Sequence, residues 1–103
     1  MPMKLLFIVA PTVSGDVREA LRTSIHESER ACGAECEIVE LTPDHSIPET
    51  VGTRIGGVNA VVAVGGDGTV SAVAHALADA SVPLGIVAAG TGNLVARELG
   101  IPL

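Results

Sequence analysis

Two glycine-rich segments are the places where this chain could bind an anion. Residues 65–69 read GGDGT and residues 90–93 read GTGN, and each follows a short aliphatic run. Glycine lets a ligand approach the backbone closely, and successive N–H groups ahead of a helix form a concave surface that attracts negative charge. One such segment is as often a plain tight turn, but two of them favour a phosphate-binding site.

Asp67 is the unexpected residue of the first segment, because a carboxylate repels phosphate. It fits such a site if a hydrated Mg²⁺ lies between the carboxylate and the phosphates. Thr69 and Asn93 either cap the helices that follow or donate to the ligand. The P-loop signature is absent, and Ser71 stands where a dinucleotide-binding G-x-G-x-x-G needs its last glycine.

The composition decides against other anionic partners. Six Lys and Arg against twelve Asp and Glu give a net charge of −6, and Phe7 is the one aromatic residue. Binding to nucleic acid needs clustered cations or aromatic stacking platforms, so no nucleic acid is expected. A polybasic membrane-docking patch is also absent. Phosphate would therefore be held by backbone N–H groups, helix N-termini and a metal ion.

The segments must be positioned by an alternating set of strands and helices. Short apolar runs predict buried strands at residues 4–10, 60–64 and 84–88, and the alternation of acidic and apolar residues predicts a strand exposed on one face at 35–41. Helical periodicity predicts helices at residues 16–33, 48–55, 70–78 and 94–99, the first opened by a capping box of Asp16 and Glu19. This order predicts one α/β domain, a three-layer sandwich with a mainly parallel sheet.

The strand-to-helix loops of a parallel sheet all emerge at the carboxyl ends of the strands. We therefore expect loops 11–16, 42–48, 65–69 and 89–93 at one edge, which would bring the two glycine segments together. Cys32 and Cys36 are expected to be reduced thiols, since no second pair of Cys or His completes a metal site. No apolar run approaches the roughly 20 residues of a membrane-spanning helix, and we expect a cytoplasmic protein.

These motifs give the sequence a family resemblance. The GGDGT segment, Pro83-Leu84-Gly85-Ile86, the GTGN segment and Ala96-Arg97 together resemble the catalytic domain of the diacylglycerol kinase and sphingosine kinase family of lipid kinases, bacterial and above all actinobacterial members. NAD kinases share GGDGT, and its pairing with GTGN selects the lipid kinases. The resemblance covers essentially the whole chain. It implies that residues 1–103 are the N-terminal, nucleotide-binding domain of the NAD kinase and diacylglycerol kinase type.

The resemblance implies ATP and Mg²⁺ as cofactors and transfer of the γ-phosphate to a lipid hydroxyl in the complete protein. Asp67 would be the catalytic residue and would hold the metal through water. Thr42 would lie near the ribose or adenine. The residues implied to cradle the phosphates are Gly65, Gly66, Gly68 and Thr69. The residues implied to line the second side of the nucleotide cleft are Gly90, Thr91, Gly92 and Asn93.

The sequence also departs from the family. Ala10-Pro11 replaces the usual Asn-Pro, Ala72 replaces an acid, and Leu94 stands where many members have Asp. The β-rich second domain, which would bind the lipid acceptor and supply the general base, is absent from the chain, so the chain by itself is expected to be inactive. A NAD kinase-like domain and a non-catalytic nucleotide-binding domain stay open as alternatives, as do a homodimer and a transient contact with a membrane surface.

Overall fold

The computed structural model describes residues 3–88, and residues 1–2 and 89–103 lie outside the described part. Strands and helices alternate along it, as the sequence predicts. The strands are β1 (Lys4–Val9), β2 (Glu35–Glu40), β3 (Ala60–Gly65) and β4 (Leu84–Ala88); the helices are α1 (Gly15–Cys32), α2 (Ile47–Arg54) and α3 (Asp67–Ala76). The helix and the loop predicted at 94–99 and 89–93 fall outside the described residues.

The four strands form one sheet in the order β2-β1-β3-β4, and all three neighbouring pairs are parallel. The mainly parallel sheet predicted from the sequence is therefore confirmed, and over residues 3–88 the sheet is entirely parallel. The register aligns Val9 with Glu40 on one side and with Val64 on the other. All carboxyl ends thus meet at one edge. The chain leaves β1 for β2 and then crosses to β3, which places the topological switch point between β1 and β3.

Alternating side chains of the strands build a hydrophobic layer on each face of the sheet. Phe7 and Val9 pack with Leu21 and Ile25 of α1. Leu6 and Ile8 point the other way; there the layer includes these residues of α2, β3 and α3: Val51, Val61, Ala63 and Val73. Full burial of a Leu or Ile side chain contributes roughly 1.5–3 kcal/mol, so both layers hold their helices firmly. The three-layer α/β sandwich is confirmed.

The start of α1 differs from the predicted capping box. Ser14 is the N-cap: its backbone is extended and its side chain accepts a hydrogen bond from the backbone N–H of Val17. Asp16 already lies inside the helix and so cannot cap it together with Glu19. Gly33 ends α1 with φ of 69°, a left-handed conformation that glycine adopts without a Cβ penalty. No helix within residues 3–88 is long and apolar enough to cross a lipid bilayer.

Candidate functional site

The first glycine segment is more helical than the sequence predicts. We expected a loop to Thr69, but α3 begins at Asp67, and the first turn closes with a hydrogen bond from Val70 N–H to the Gly66 carbonyl at 3.1 Å. Gly66 is the N-cap and has no side chain to cap with. The predicted capping role of Thr69 is wrong, because Thr69 lies at the third position of the helix. Glycine here keeps β3 and α3 almost contiguous.

Within residues 3–88 no side chain caps the first N–H groups of α3. The N–H groups of the first turn of a helix have no partner within the helix, and here they belong to Asp67, Gly68 and Thr69. Gly66, Asp67 and Gly68 are exposed. The helix adds the positive end of its dipole at the same place. The arrangement is therefore suited to bind an anion by its backbone.

The glycines of this segment have different reasons to be glycine. A Cβ on Gly65 would lie 2.8 Å from the Cβ of Ala10 and 3.1 Å from the Oγ1 of Thr69. At Gly66 and Gly68 a Cβ would meet no heavy atom of residues 3–88 within 4 Å. Packing inside the protein thus requires a glycine at position 65. The described fold makes no such demand at 66 and 68, where the open space suits a ligand that approaches the backbone.

Asp67 is placed where its charge is tolerated. It is the first residue of α3, and a carboxylate near a helix N-terminus interacts favourably with the helix dipole. Residues 3–88 contain no group of three His, Cys, Asp or Glu side chains that could hold a metal ion. A Mg²⁺ ion, which usually keeps several waters and takes one or two carboxylates plus phosphate oxygens, still fits this donor set.

Thr42 lies at the same edge of the sheet but away from the glycine segment. Its N–H donates to the Nδ1 of His45 at 2.8 Å, and its Oγ1 lies 3.3 Å from the same nitrogen. β1 separates β2 from β3, so at about 4.8 Å per strand Thr42 lies roughly 10 Å to the side. The structure does not bring Thr42 to the start of α3. Its place near the ribose or adenine stays a prediction.

Sequence reasoning missed a residue that binds the loop between β1 and α1 (residues 10–14). Arg18 of α1 donates to the carbonyls of Val13, Ala10 and Pro11 at 2.9, 3.0 and 3.2 Å. The signal in the sequence is a single cation one turn after Ser14, and it is not distinctive. Ser14 acts as the N-cap of α1, which is the arrangement of a plain helix entry.

The second glycine segment, Gly90, Thr91, Gly92 and Asn93, falls outside the described residues. Its strand is placed: β4 pairs with β3 so that Ala88 lies opposite Gly65. The strands ahead of the two glycine segments are therefore neighbours and end at the same edge. The roles predicted for these four residues stay predictions.

The two cysteines lie apart from this edge and are both free. Burial, and then the nearby carboxylate of Glu29, raise the pKa of the Cys36 thiol. A raised pKa disfavours the thiolate, which is the form that attacks electrophiles and binds metals. Cys36 is therefore unsuited to either role at neutral pH.

Known proteins resemble this chain over much of its length. The sequence profile described as Diacylglycerol kinase catalytic domain matches residues 4–103. A diacylglycerol kinase of Mycobacterium tuberculosis (strain H37Rv) is 54% identical over 46 residues, which cover 45% of this chain and 15% of that protein. A probable lipid kinase YegS-like protein of Xanthomonas euvesicatoria pv. vesicatoria is 39% identical over 95 residues. The matched segment covers 85% of this chain and 29% of that protein.

A solved structure supports the same assignment. The crystal structure of a diacylglycerol kinase from Bacillus anthracis str. Sterne matches with a TM-score of 0.61 and 28% identity, over 96% of this chain and 37% of that one. The chain thus spans less than a third of these two relatives' sequences and 37% of the solved chain. The profile match covers nearly the whole chain, and this chain belongs to the diacylglycerol kinase catalytic domain family.

Proposed function

We propose that residues 1–103 form the nucleotide-binding domain of a diacylglycerol kinase-like lipid kinase, which binds ATP with Mg²⁺ and, as the complete protein, transfers the γ-phosphate to a lipid hydroxyl. Family membership supports the kinase activity. The observation that carries phosphate binding is the start of α3, which has exposed glycines and no capping side chain. Aligned N–H groups at a helix N-terminus bind phosphate without the need for a lysine.

In this proposal the backbone holds the phosphates and Asp67 holds the metal. The N–H groups of Asp67, Gly68 and Thr69 bind and orient phosphate oxygens. The Asp67 carboxylate binds Mg²⁺ through water. When bound, the ion supplies positive charge to the phosphates, which stabilises the charge that develops during phosphoryl transfer. Gly66 and Gly68 let the phosphates lie close to the backbone, and Gly65 contributes by its packing against Ala10.

The remaining nucleotide contacts come from the neighbouring strand ends. Gly90, Thr91, Gly92 and Asn93 line the side of the cleft that follows β4. Thr42 contacts the ribose or adenine from the end of β2. A nucleotide is an extended ligand, and the roughly 10 Å between Thr42 and β3 allows such a division between its two ends.

The lipid acceptor and the general base belong to the rest of the complete protein. Transfer requires a nucleophile positioned against the γ-phosphate and a group that accepts its proton. We assign both tasks to a second, β-rich domain, in line with the small share of each relative that this chain covers. A transient contact of a cytoplasmic protein with a membrane surface follows from a lipid acceptor. A homodimer stays a prediction.

Calorimetric titration of Mg·ATP tests the proposed binding. D67N should weaken binding about tenfold, or about 1.4 kcal/mol, because it removes the charge that holds Mg²⁺. D79N is the matched control, because Asp79 is also exposed but lies beyond the far end of α3. In EDTA wild type should no longer bind ATP more tightly than D67N, because no Mg²⁺ is left for the carboxylate to hold.

Two results would refute the proposal. Absence of saturable Mg·ATP binding by the wild type would remove the nucleotide site, and equal binding by D67N would remove Asp67 from it.

Phosphorylation of diacylglycerol is then measured with the complete protein and with residues 1–103. Turnover by residues 1–103 would show that no second domain is needed. Transfer by the complete protein to NAD rather than to diacylglycerol would favour the NAD kinase alternative.

A further inference from the structure

Arg18 binds three backbone carbonyls of the loop between β1 and α1. Its side chain is only 22% exposed. The Nε donates to the carbonyl of Val13, and Nη2 donates to the carbonyls of both Ala10 and Pro11. Three carbonyls of one short loop thus accept hydrogen bonds from one guanidinium. The planar fork of arginine suits this task, whereas the single ammonium of lysine cannot span it.

The same guanidinium joins this loop to the end of β2. Its Nη1 lies 3.3 Å from the Oε1 of Glu40, the last residue of that strand. Arg22, one turn further along α1, contacts the same carboxylate oxygen. Glu40 therefore orients the guanidinium of Arg18, and Arg22 shares the carboxylate without touching the loop.

The loop that Arg18 holds lies directly against the glycine segment. The Ala10 N–H donates to the Val64 carbonyl at 2.8 Å, and the Ala10 Cβ blocks the space where a Cβ on Gly65 would be. Ala10 is 1% exposed and has no room to yield. Because protein interiors are close-packed, a displacement of Ala10 is transmitted to Gly65 and to the start of α3.

We propose that Arg18 is a positioning residue of the nucleotide site: it fixes Ala10, Ala10 sets the position of Gly65, and the N–H groups of α3 are thereby held in place for phosphate. This inference rests on the proposed function. Arg18 itself touches no phosphate in this role, since four of its five N–H donors are directed at the carbonyls and Glu40. The chain of contacts predicts that Arg18 acts on the glycine segment even when no nucleotide is present.

The test compares four variants in the ¹H–¹⁵N spectrum of the protein without nucleotide and in its affinity for Mg·ATP. R18Q removes the guanidinium, and R18K keeps only its charge. R22Q removes a contact to Glu40 but none to the loop. R30Q alters an exposed cation about 18 Å further along α1. R18Q and R18K should shift the amide resonances of Gly65, Gly66 and Gly68 and weaken Mg·ATP binding about tenfold. R22Q and R30Q should do neither.

The outcomes separate this inference from the proposed function. Unmoved glycine resonances in R18Q overturn the inference, whatever the affinity. Wild-type affinity in R18K also overturns it, because charge rather than the fork would then be what acts. If wild type binds no Mg·ATP, the proposed function and this role both fail, and any shifts in R18Q show only a link within the fold. If R18Q does not fold, R18K carries the comparison.

Discussion

The two helices that start on either side of the switch point begin in opposite ways. α1 starts after a loop that the protein closes with its own side chains: Ser14 caps the helix, and Arg18 binds the carbonyls of the loop. α3 starts one residue after β3, at a glycine with no capping side chain. Both helix N-termini lie at the carboxyl edge of the same sheet, so position alone does not distinguish them.

The difference shows which helix N-terminus is available to a ligand. Backbone polar groups need partners, and a capping side chain takes up the groups that a ligand would otherwise bind. α2 resembles α1 in this respect, because Ser46 accepts from the Glu49 N–H and a proline occupies its first turn. Among the helices of residues 3–88, α3 is therefore the one left uncapped, and it is the one that carries the GGDGT segment.

The largest effect, on stability, should come from a methyl group placed between the β1–α1 loop and the start of α3. In G65A the new Cβ lies 2.8 Å from the Ala10 Cβ, a rigid atom that cannot rotate away, and the φ of 158° at this position adds backbone strain. We expect the free energy of unfolding to fall by about 2–3 kcal/mol, as for an overpacked core. Chemical denaturation measures it.

The matched control for G65A is G66A, where a Cβ meets no heavy atom of residues 3–88 within 4 Å. It should lower the unfolding free energy by less than about 1 kcal/mol, the cost of replacing glycine at an N-cap. Equal losses in the two variants would show that Ala10 does not press on Gly65. The link from loop to glycine segment would then be wrong.

A smaller effect, on binding rather than stability, should come from a methyl group at the open start of α3. In G68A the Cβ has space in the described fold, and we expect it to crowd a phosphate that approaches the backbone there. We expect Mg·ATP affinity to fall about tenfold, which is about 1.4 kcal/mol. Stability should stay unchanged or rise by up to about 1 kcal/mol.

G52A is the control that separates an effect on stability from an effect on Mg·ATP affinity. Gly52 lies within α2, and a Cβ there also meets no described atom within 4 Å. The unfolding free energy should rise by about 0.4–1 kcal/mol with no change in affinity. Loss of affinity in G52A as large as in G68A would mean that both act through the fold, and α3 would lose its special status.

The regular part of the fold could be predicted because local patterns and tertiary structure agree. Residues 5–9 and 60–64 are continuous apolar runs, which suit strands buried on both faces. The start of α1 was misjudged because Asp16 and Glu19 satisfy the spacing of a capping box as well as Ser14 satisfies an N-cap. The choice between Ser14 and Asp16 as N-cap depends on the residue at which the backbone changes from extended to helical. The local sequence does not determine that residue.

The glycines of the candidate site could be predicted from the sequence, but the residues that position them could not. GGDGT marks a close approach to backbone, yet the sequence does not separate Gly65, needed for packing against Ala10, from Gly68, which is open. The sequence also placed Asp67 in a loop, because glycines disfavour helices. Arg18 was missed because its partners are carbonyls, which leave no trace in residue type.

A last and smaller effect on stability tests the capped start of α1. S14A removes the side chain that accepts from the Val17 N–H, and the unfolding free energy should fall by about 1 kcal/mol. S46A, which removes the corresponding cap of α2, should cost about the same. Neither should change Mg·ATP affinity more than about threefold, because Arg18 still holds the loop beside Ala10. A tenfold loss in S14A but not in S46A would mean that the start of α1 also contacts the nucleotide. The two helix N-termini beside the switch point would then share the phosphates instead of dividing support from binding.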